Sequence, residues 1–302
     1  MEKNIIIIDD VKDQAEGLYK GLSVALPGYS FEWHSDADEI KSAIENRFYT
    51  LAIVDIRMDE YEFDGIEIIK EIFKINPFAK VIIVSAFKDE YFGRLKELVL
   101  SGKILDILDK EQFKILVDKL RTIIQSYYAE IDSDPSEINK ALMQNYADAK
   151  NEKDTYKKGV RFEHFISLLF QSFGYKEIIK RNKDRSLNEV DLIIRNETED
   201  SFLNKFGKYI LIECKNKPEN AVSKNDFIVF MSKLKNTNGL AELGIIATTG
   251  YISRNTYIEA VRESGGERKI LFISNPEIER LIRSSEKREE FKKLIDEQVK
   301  DN

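Results

Sequence analysis

The sequence predicts an α/β protein of two domains: an N-terminal doubly wound, five-stranded parallel sheet and a C-terminal α/β domain with a mixed sheet. Three observations predict it. Short apolar runs alternate with helically patterned segments through the first 130 residues, the rhythm of parallel strands with crossover helices. Near residue 157 the order changes to helix, three strands, helix, strand, helix, strand. The chain's 302 residues are enough for two ordinary cores. The expected boundaries are 1–130 for the first domain, 131–156 for a helical connector and 157–302 for the second domain with a helical tail.

The run "NIIIID" (4–9) is continuously apolar, as a parallel strand covered on both faces must be. A helix follows over 11–26 and ends at Pro27-Gly28. Then come the strand "YSFEWH", a helix over 37–46, the strand "TLAIVDI", a helix over 66–75, the strand "KVIIVSA", a helix over 89–100, the strand "ILDILD" and a helix over 111–129. These are five β/α units, and such sheets carry their functional groups at the carboxyl ends of the strands.

Composition narrows the function classes. Hydrophobic residues are 42% and charged residues 33%, the balance of a soluble globular protein. No apolar run approaches the roughly 18 residues of a membrane span, and the acidic N-terminus does not read as a secretory signal. The single cysteine, Cys214, excludes an internal disulfide framework and fits a reducing cytoplasm. With two histidines beside it, a Cys/His zinc site is excluded, so a metal would be held by carboxylates and be Mg²⁺ or Mn²⁺. His34 and His164 read as structural. The net charge of −7 is uneven: residues 1–130 carry −8, residues 131–156 carry −3 and residues 157–302 carry +4. The first domain would repel nucleic acid; the second would not.

The ends of the first-domain strands are chemically consistent. Strand 1 ends in Asp9-Asp10, strand 3 at Asp55, strand 4 at Ser85-Ala86 and strand 5 at Lys110. Converging carboxylates repel one another unless a cation lies between them. A lysine and a hydroxyl beside them suit phosphoryl oxygens. With Met58 and Asp64-Gly65, this set resembles a response-regulator receiver domain, of flavodoxin-like fold, over about residues 3–128. The resemblance implies that Asp55 is the phosphoacceptor. It also implies that Asp9, Asp10, Asp55 and the Arg57 backbone carbonyl hold Mg²⁺, that Ser85 and Lys110 bind the phosphoryl group, and that a sensor histidine kinase is the partner. Three features depart from the pattern: Glu111 stands where proline usually follows the lysine, Ile107 replaces the switch aromatic, and the loop "IRMDEYEFDG" is longer and lacks its usual proline.

The connector offers Asp134-Pro135 as a helix start and Leu142, Met143 and Tyr146 as a thin apolar stripe, so it reads either as a solvated linker or as a rigid or dimer-forming element. In the second domain, Phe162, Phe165, Ile166, Leu169, Phe170 and Phe173 follow helical spacing, with Glu163 at the border of that face. The strand "YILIECKNK" puts Glu213 and Lys215 on one face and Cys214 on the other, because alternate residues of a strand share a face. Asp191, on the preceding strand of "EVDLII", can lie beside Glu213 if the two strands are antiparallel. Two carboxylates for a metal, with an ammonium beside them, suit phosphodiester hydrolysis.

The blocks "FEHFISLLFQSFGY", "EVDLII", "YILIECKN" and "LGIIATTGYIS" resemble the PD-(D/E)xK nuclease superfamily, and within it the Mrr-type restriction endonucleases, over about residues 157–275. The resemblance implies Glu163, Asp191, Glu213 and Lys215 as the catalytic set, with Asp191 and Glu213 ligating Mg²⁺ or Mn²⁺. It departs at "DRSLNEVD", where glycines are usual before the aspartate. The helix "SKNDFIVFMSKLKNTNG" brings Lys224, Lys233 and Lys235 where the family packs a helix near DNA. Together the two resemblances imply a phosphorylation-regulated, Mg²⁺-dependent DNA endonuclease, cytoplasmic, without a membrane partner and working as a homodimer. The rival expectations are a response regulator whose nuclease-like domain binds DNA, or a partner protein, without cleaving.

Overall fold

The computed structural model describes residues 3–47, 49–59, 61–87, 90–133, 136–183, 189–263 and 268–300. The chain divides into two compact units, Met1–Pro135 and Ser136–Asn302.

The first unit runs β1 (Asn4–Ile8), α1 (Lys12–Ala25), β2 (Ser30–His34), α2 (Ala37–Asn46), β3 (Leu51–Val54), α3 (Gly65–Ile75), β4 (Lys80–Val84), α4 (Phe92–Leu100), β5 (Ile104–Leu108) and α5 (Phe113–Ser133). The strands form one parallel sheet in the order β2-β1-β3-β4-β5. The continuous apolar runs have the expected cause. Ile6 and Ile8 pack with Val54, Ile83 and the α2 and α3 residues Ile40, Ile44, Ile66 and Ile69. Ile5 and Ile7 face the other way, with Ile53, Val84, Leu18, Leu22, Leu116 and Leu120 of α1 and α5. Alternate residues thus feed two cores, so neither face tolerates polarity. Because β1 lies between β2 and β3, the chain leaves the end of β1 on one side and the end of β3 on the other. That divergence opens a crevice at the carboxyl edge.

The second unit begins with α6 (Ser136–Asn151) and α7 (Thr155–Gln171), then β6 (Ile178–Lys183), β7 (Glu189–Arg195), a 3-10 turn at Leu203–Phe206, β8 (Tyr209–Lys215) and β9 (Ala221–Val222). It continues with α8 (Lys224–Lys235), β10 (Ala241–Thr248), β11 (Tyr251–Ile252), α9 (Arg254–Glu263), β12 (Lys269–Ile273), α10 (Asn275–Arg283) and α11 (Lys287–Lys300). The order is the one expected, with the two-residue strands β9 and β11 added as a separate parallel pair. The main sheet is mixed, in the order β12-β10-β8-β7-β6: β6, β7 and β8 are antiparallel, and β8, β10 and β12 are parallel.

The segment expected as a connector contributes α6 to this second unit. Its stripe is buried at Leu142, Tyr146 and Ala149. The Tyr146 ring lies 5.0 Å from that of Phe165, and its hydroxyl bonds Asn275 Oδ1 at 2.6 Å. The expected start at Asp134-Pro135 lies outside the described residues. The charged tail forms two amphipathic helices that bury Ile278, Leu281, Ile282, Phe291, Leu294 and Ile295. Phe291 meets Phe170 edge-on at 5.4 Å. Among the described residues no helix is long and apolar enough to cross a membrane.

Lys287 joins these helices. Its ammonium is buried and donates to Asn139 Oδ1 at 2.6 Å, Ile282 O at 2.7 Å and Ser284 O at 2.6 Å, capping the end of α10. Burial pushes its pKa down to about 8, from the ordinary 10.5. The unfolded chain therefore holds a proton here that the folded chain has lost between those two values, and stability rises with pH across that interval. The stability of the second unit to urea should increase as pH is raised from about 8 to 10.5, and Lys287→Met should remove that slope.

Candidate functional site

Two groups of functional side chains form, one at the carboxyl edge of each sheet. In the first unit, ligand oxygens of Asp9, Asp10 and Asp55 all lie within 4.8 Å of one another. Asp9 and Asp10 follow β1, and Asp55 follows β3, so the adjacency of those strands makes the cluster. Lys110, just after β5, donates to Asp9 Oδ2 at 2.8 Å and Asp55 Oδ2 at 2.6 Å, and also reaches Gln14 Oε1. Burial raises the Asp9 pKa, with Lys110 opposing. Burial would lower that of Lys110, but Asp55 and Asp9 outweigh it and leave it raised. Ser85 is fully buried at the end of β4, its Oγ accepting from the Phe87 N–H at 3.3 Å. The Arg57 N–H lies 3.3 Å from Asp55 Oδ1, and its guanidinium lies 4.1 Å from the centre of the Phe87 ring. Ile107, in place of an aromatic, packs half-buried against the α2–α3 core. Hard carboxylate oxygens at this spacing fit Mg²⁺.

The second group forms on β7 and β8. Their antiparallel register pairs Leu192 with Ile212, so the next step sets Asp191 opposite Glu213, as expected. Asp191 Oδ2 accepts the Cys214 N–H at 2.7 Å. Lys215 Nζ lies 2.8 Å from Glu213 Oε1. Burial, then the charges of Glu213 and Glu163, pushes the Asp191 pKa up to about 6 against the Cys214 N–H and Lys215. Burial opposes the charge on Lys215, but Glu213, Asp191 and Asp226 hold its pKa above the usual value. The Cys214 thiol is pushed up by burial first and then by Asp191 and Glu163, which fits packing rather than reactivity. Glu163 is half-buried on α7 and acts on Asp191 through charge. Among the described residues, the first-unit aspartates are the one group of three carboxylates converging within 4.8 Å. Two opposed, partly buried carboxylates still suit a cation, which would relieve their repulsion. Of the stretch "DRSLNEVD", residues 184–188 lie outside the described residues.

Two partners escape sequence reading. Lys233 on α8 donates to Glu213 Oε2 at 2.9 Å. Asn216 ties the end of β8 to its surroundings, its amide donating to Ala149 O and Lys158 O at 2.8 Å each and its carbonyl accepting from Thr249 Oγ1 at 2.8 Å. Neither contact has a local spacing signal, since each spans a long stretch of chain.

Backbone packing adds a constraint at the first site. Gly65 opens α3 directly against the end of β3, and a Cβ there would lie 1.9 Å from Asp55 O and 2.7 Å from Ile56 Cα. Gly65→Ala should lower first-unit stability by about 1–3 kcal/mol through this overpacking. Urea denaturation checks the expected loss.

Residues 5–121 match the family model of the response regulator receiver domain, and residues 157–282 match that of the restriction endonuclease catalytic family. Among solved structures, a CheY-like receiver domain protein from Methanospirillum hungatei is 24% identical, covering 43% of this chain and 99% of its own, with a TM-score of 0.36. The Thermotoga maritima response regulator TrrA, in complex with Mg²⁺-BeF, is 23% identical, covering 41% of this chain and 99% of its own, with a TM-score of 0.32. No curated protein matches the chain. The chain is thus a response-regulator receiver domain followed by a restriction-endonuclease domain of the Mrr type.

Proposed function

We propose that the protein is a phosphorylation-regulated, Mg²⁺-dependent DNA endonuclease. The observation that carries this reading is the placing of Asp191 opposite Glu213 with Lys215 Nζ 2.8 Å from Glu213, inside a region that matches a restriction endonuclease. Asp191 and Glu213 would hold a divalent cation, which supplies a Lewis acid for the phosphodiester and its attacking water. Lys215 presents its ammonium to the phosphoryl oxygens and stabilises the charge that builds on them. Glu163 adds negative charge beside Asp191 and favours a cation there. A homodimer supplies the two cuts that a duplex needs, and a reducing cytoplasm suits the chain's single cysteine.

Asp55 is the phosphoacceptor in this reading. Asp9 and Asp10 hold Mg²⁺ with Asp55 and the Arg57 carbonyl, and a sensor histidine kinase supplies the phosphoryl group. Lys110, which already bridges Asp9 and Asp55, and the buried Ser85 receive the new oxygens. The added charge biases the receiver between two states and so controls the nuclease.

A second reading, DNA binding without cleavage, draws on one observation: both oxygens of Glu213 carry an ammonium. Nicking of supercoiled plasmid separates the two. Wild type should nick with Mg²⁺ or Mn²⁺, and Lys215→Ala should lower the rate by roughly 10²–10³-fold. DNA binding without metal-dependent nicking favours the second reading. A small-molecule phosphodonor should change the nicking rate of wild type and leave that of Asp55→Ala unchanged. An equal response in both proteins would remove Asp55 from the control.

A further inference from the structure

Glu213 is buried, and each of its oxygens is held by a different lysine: Oε1 by Lys215 at 2.8 Å and Oε2 by Lys233 at 2.9 Å. Lys215 comes from the same strand, two residues on. Lys233 comes from α8, twenty residues away. The helix that delivers it is firmly seated. Ser223 and Asp226 form a capping box at its start, and Phe227, Phe230, Met231 and Leu234 are buried along one face. Gly244 on β10 lets that face approach, since a Cβ there would meet the Phe230 ring at 2.9 Å. Of the three α8 lysines, Lys224 and Lys235 pair with Glu259 and Glu263 at 45% and 52% side-chain exposure. Lys233 alone turns inward, at 15%.

We propose that Lys233 competes with the metal at the nuclease site: it is one of the two counter-ions of Glu213, and a divalent cation binds by displacing it. The inference rests on the reading of Asp191 and Glu213 as metal ligands. A cation shared by those carboxylates takes at least one Glu213 oxygen, and both already hold an ammonium. The incoming ion also feels the repulsion of whatever ammonium stays close. Lys215 stays beside both carboxylates because β8 itself carries it, two residues on from Glu213 and on the strand paired with that of Asp191. Lys233 reaches the site as a point charge on a flexible four-carbon stem, so its head can move while α8 keeps its place. Displaced from Glu213, it adds positive charge at the mouth of the site, where a phosphate backbone would lie.

Manganese affinity tests this without relying on cleavage. The full-length protein carrying Asp9→Asn and Asp55→Asn silences the receiver site and serves as parent. Free Mn²⁺ is read from its electron paramagnetic resonance signal, and thermal melting followed by circular dichroism checks folding. Adding Lys233→Met should tighten Mn²⁺ binding about tenfold, equivalent to the loss of ~1.4 kcal/mol of competing interaction. Lys233→Arg should stay at the parent's affinity, and Asp191→Asn should abolish binding. Lys233→Gln replaces Lys233→Met if the latter melts early. Should the parent bind Mn²⁺ through Asp191 while removal of the Lys233 charge leaves affinity equal or weaker, the inference falls and the nuclease reading stands. Should neither the parent nor the charge-removed variants bind Mn²⁺, the inference falls together with the metal-dependent reading of the site.

Discussion

Carboxylates gathered at strand ends need positive charge beside them, and both halves of this protein are organised by that need. In the receiver, Asp9 and Asp55 share the Lys110 ammonium. In the nuclease domain, Glu213 is shared by Lys215 and Lys233. A buried carboxylate without a partner is costly, and a buried lysine bridging two acceptors offsets that cost only when the geometry is close. Lys215 and Lys233 are placed by rigid elements, β8 and α8, and Lys110 by the short segment directly after β5. In each site the lysines hold oxygens that a divalent ion would share.

That charge pattern depends on dense packing behind it. The central receiver strands β1, β3 and β4 are buried on both faces, so the ends of β1 and β3 are fixed relative to one another and the aspartates that follow them converge. Close backbone approach completes the frame. Gly65 brings α3 against Asp55, and Gly250 brings the turn after β10 against the carbonyls of Asn220 and Lys217, where a Cβ would come within 2.4 Å of both. In the nuclease domain, Asn216, the residue after Lys215, joins the end of β8 to the last turn of α6 and the first turn of α7. The helix that directly follows the receiver is thus bonded to the strand that carries the candidate catalytic lysine.

Much of this was legible in the residues. The five β/α units, the carboxylates at strand ends and the E-x-K face of β8 are local features. Period-two alternation and helical spacing report them before any contact is known. Asp191 opposite Glu213 was legible one step further, because consecutive strands joined by a turn tend to pair as neighbours. The fate of 131–156 was not. Its thin stripe at Leu142 and Tyr146 fits a solvated linker or a packed helix equally, and the choice depends on Phe165 and Asn275, which are distant in sequence.

By itself the sequence determined which chemical groups stand at which strand ends, and so the oxygen-rich, lysine-bearing character of both sites. The reason is that strand direction and side-chain alternation are properties of the local chain. Tertiary structure alone decided which lysine of α8 turns inward to Glu213, that α6 belongs to the nuclease unit, and that Lys287 sits buried among neutral acceptors. Those outcomes follow from how helices seat on a sheet through contacts far apart in the chain. The packing of the whole unit sets them, and no spacing rule reports them.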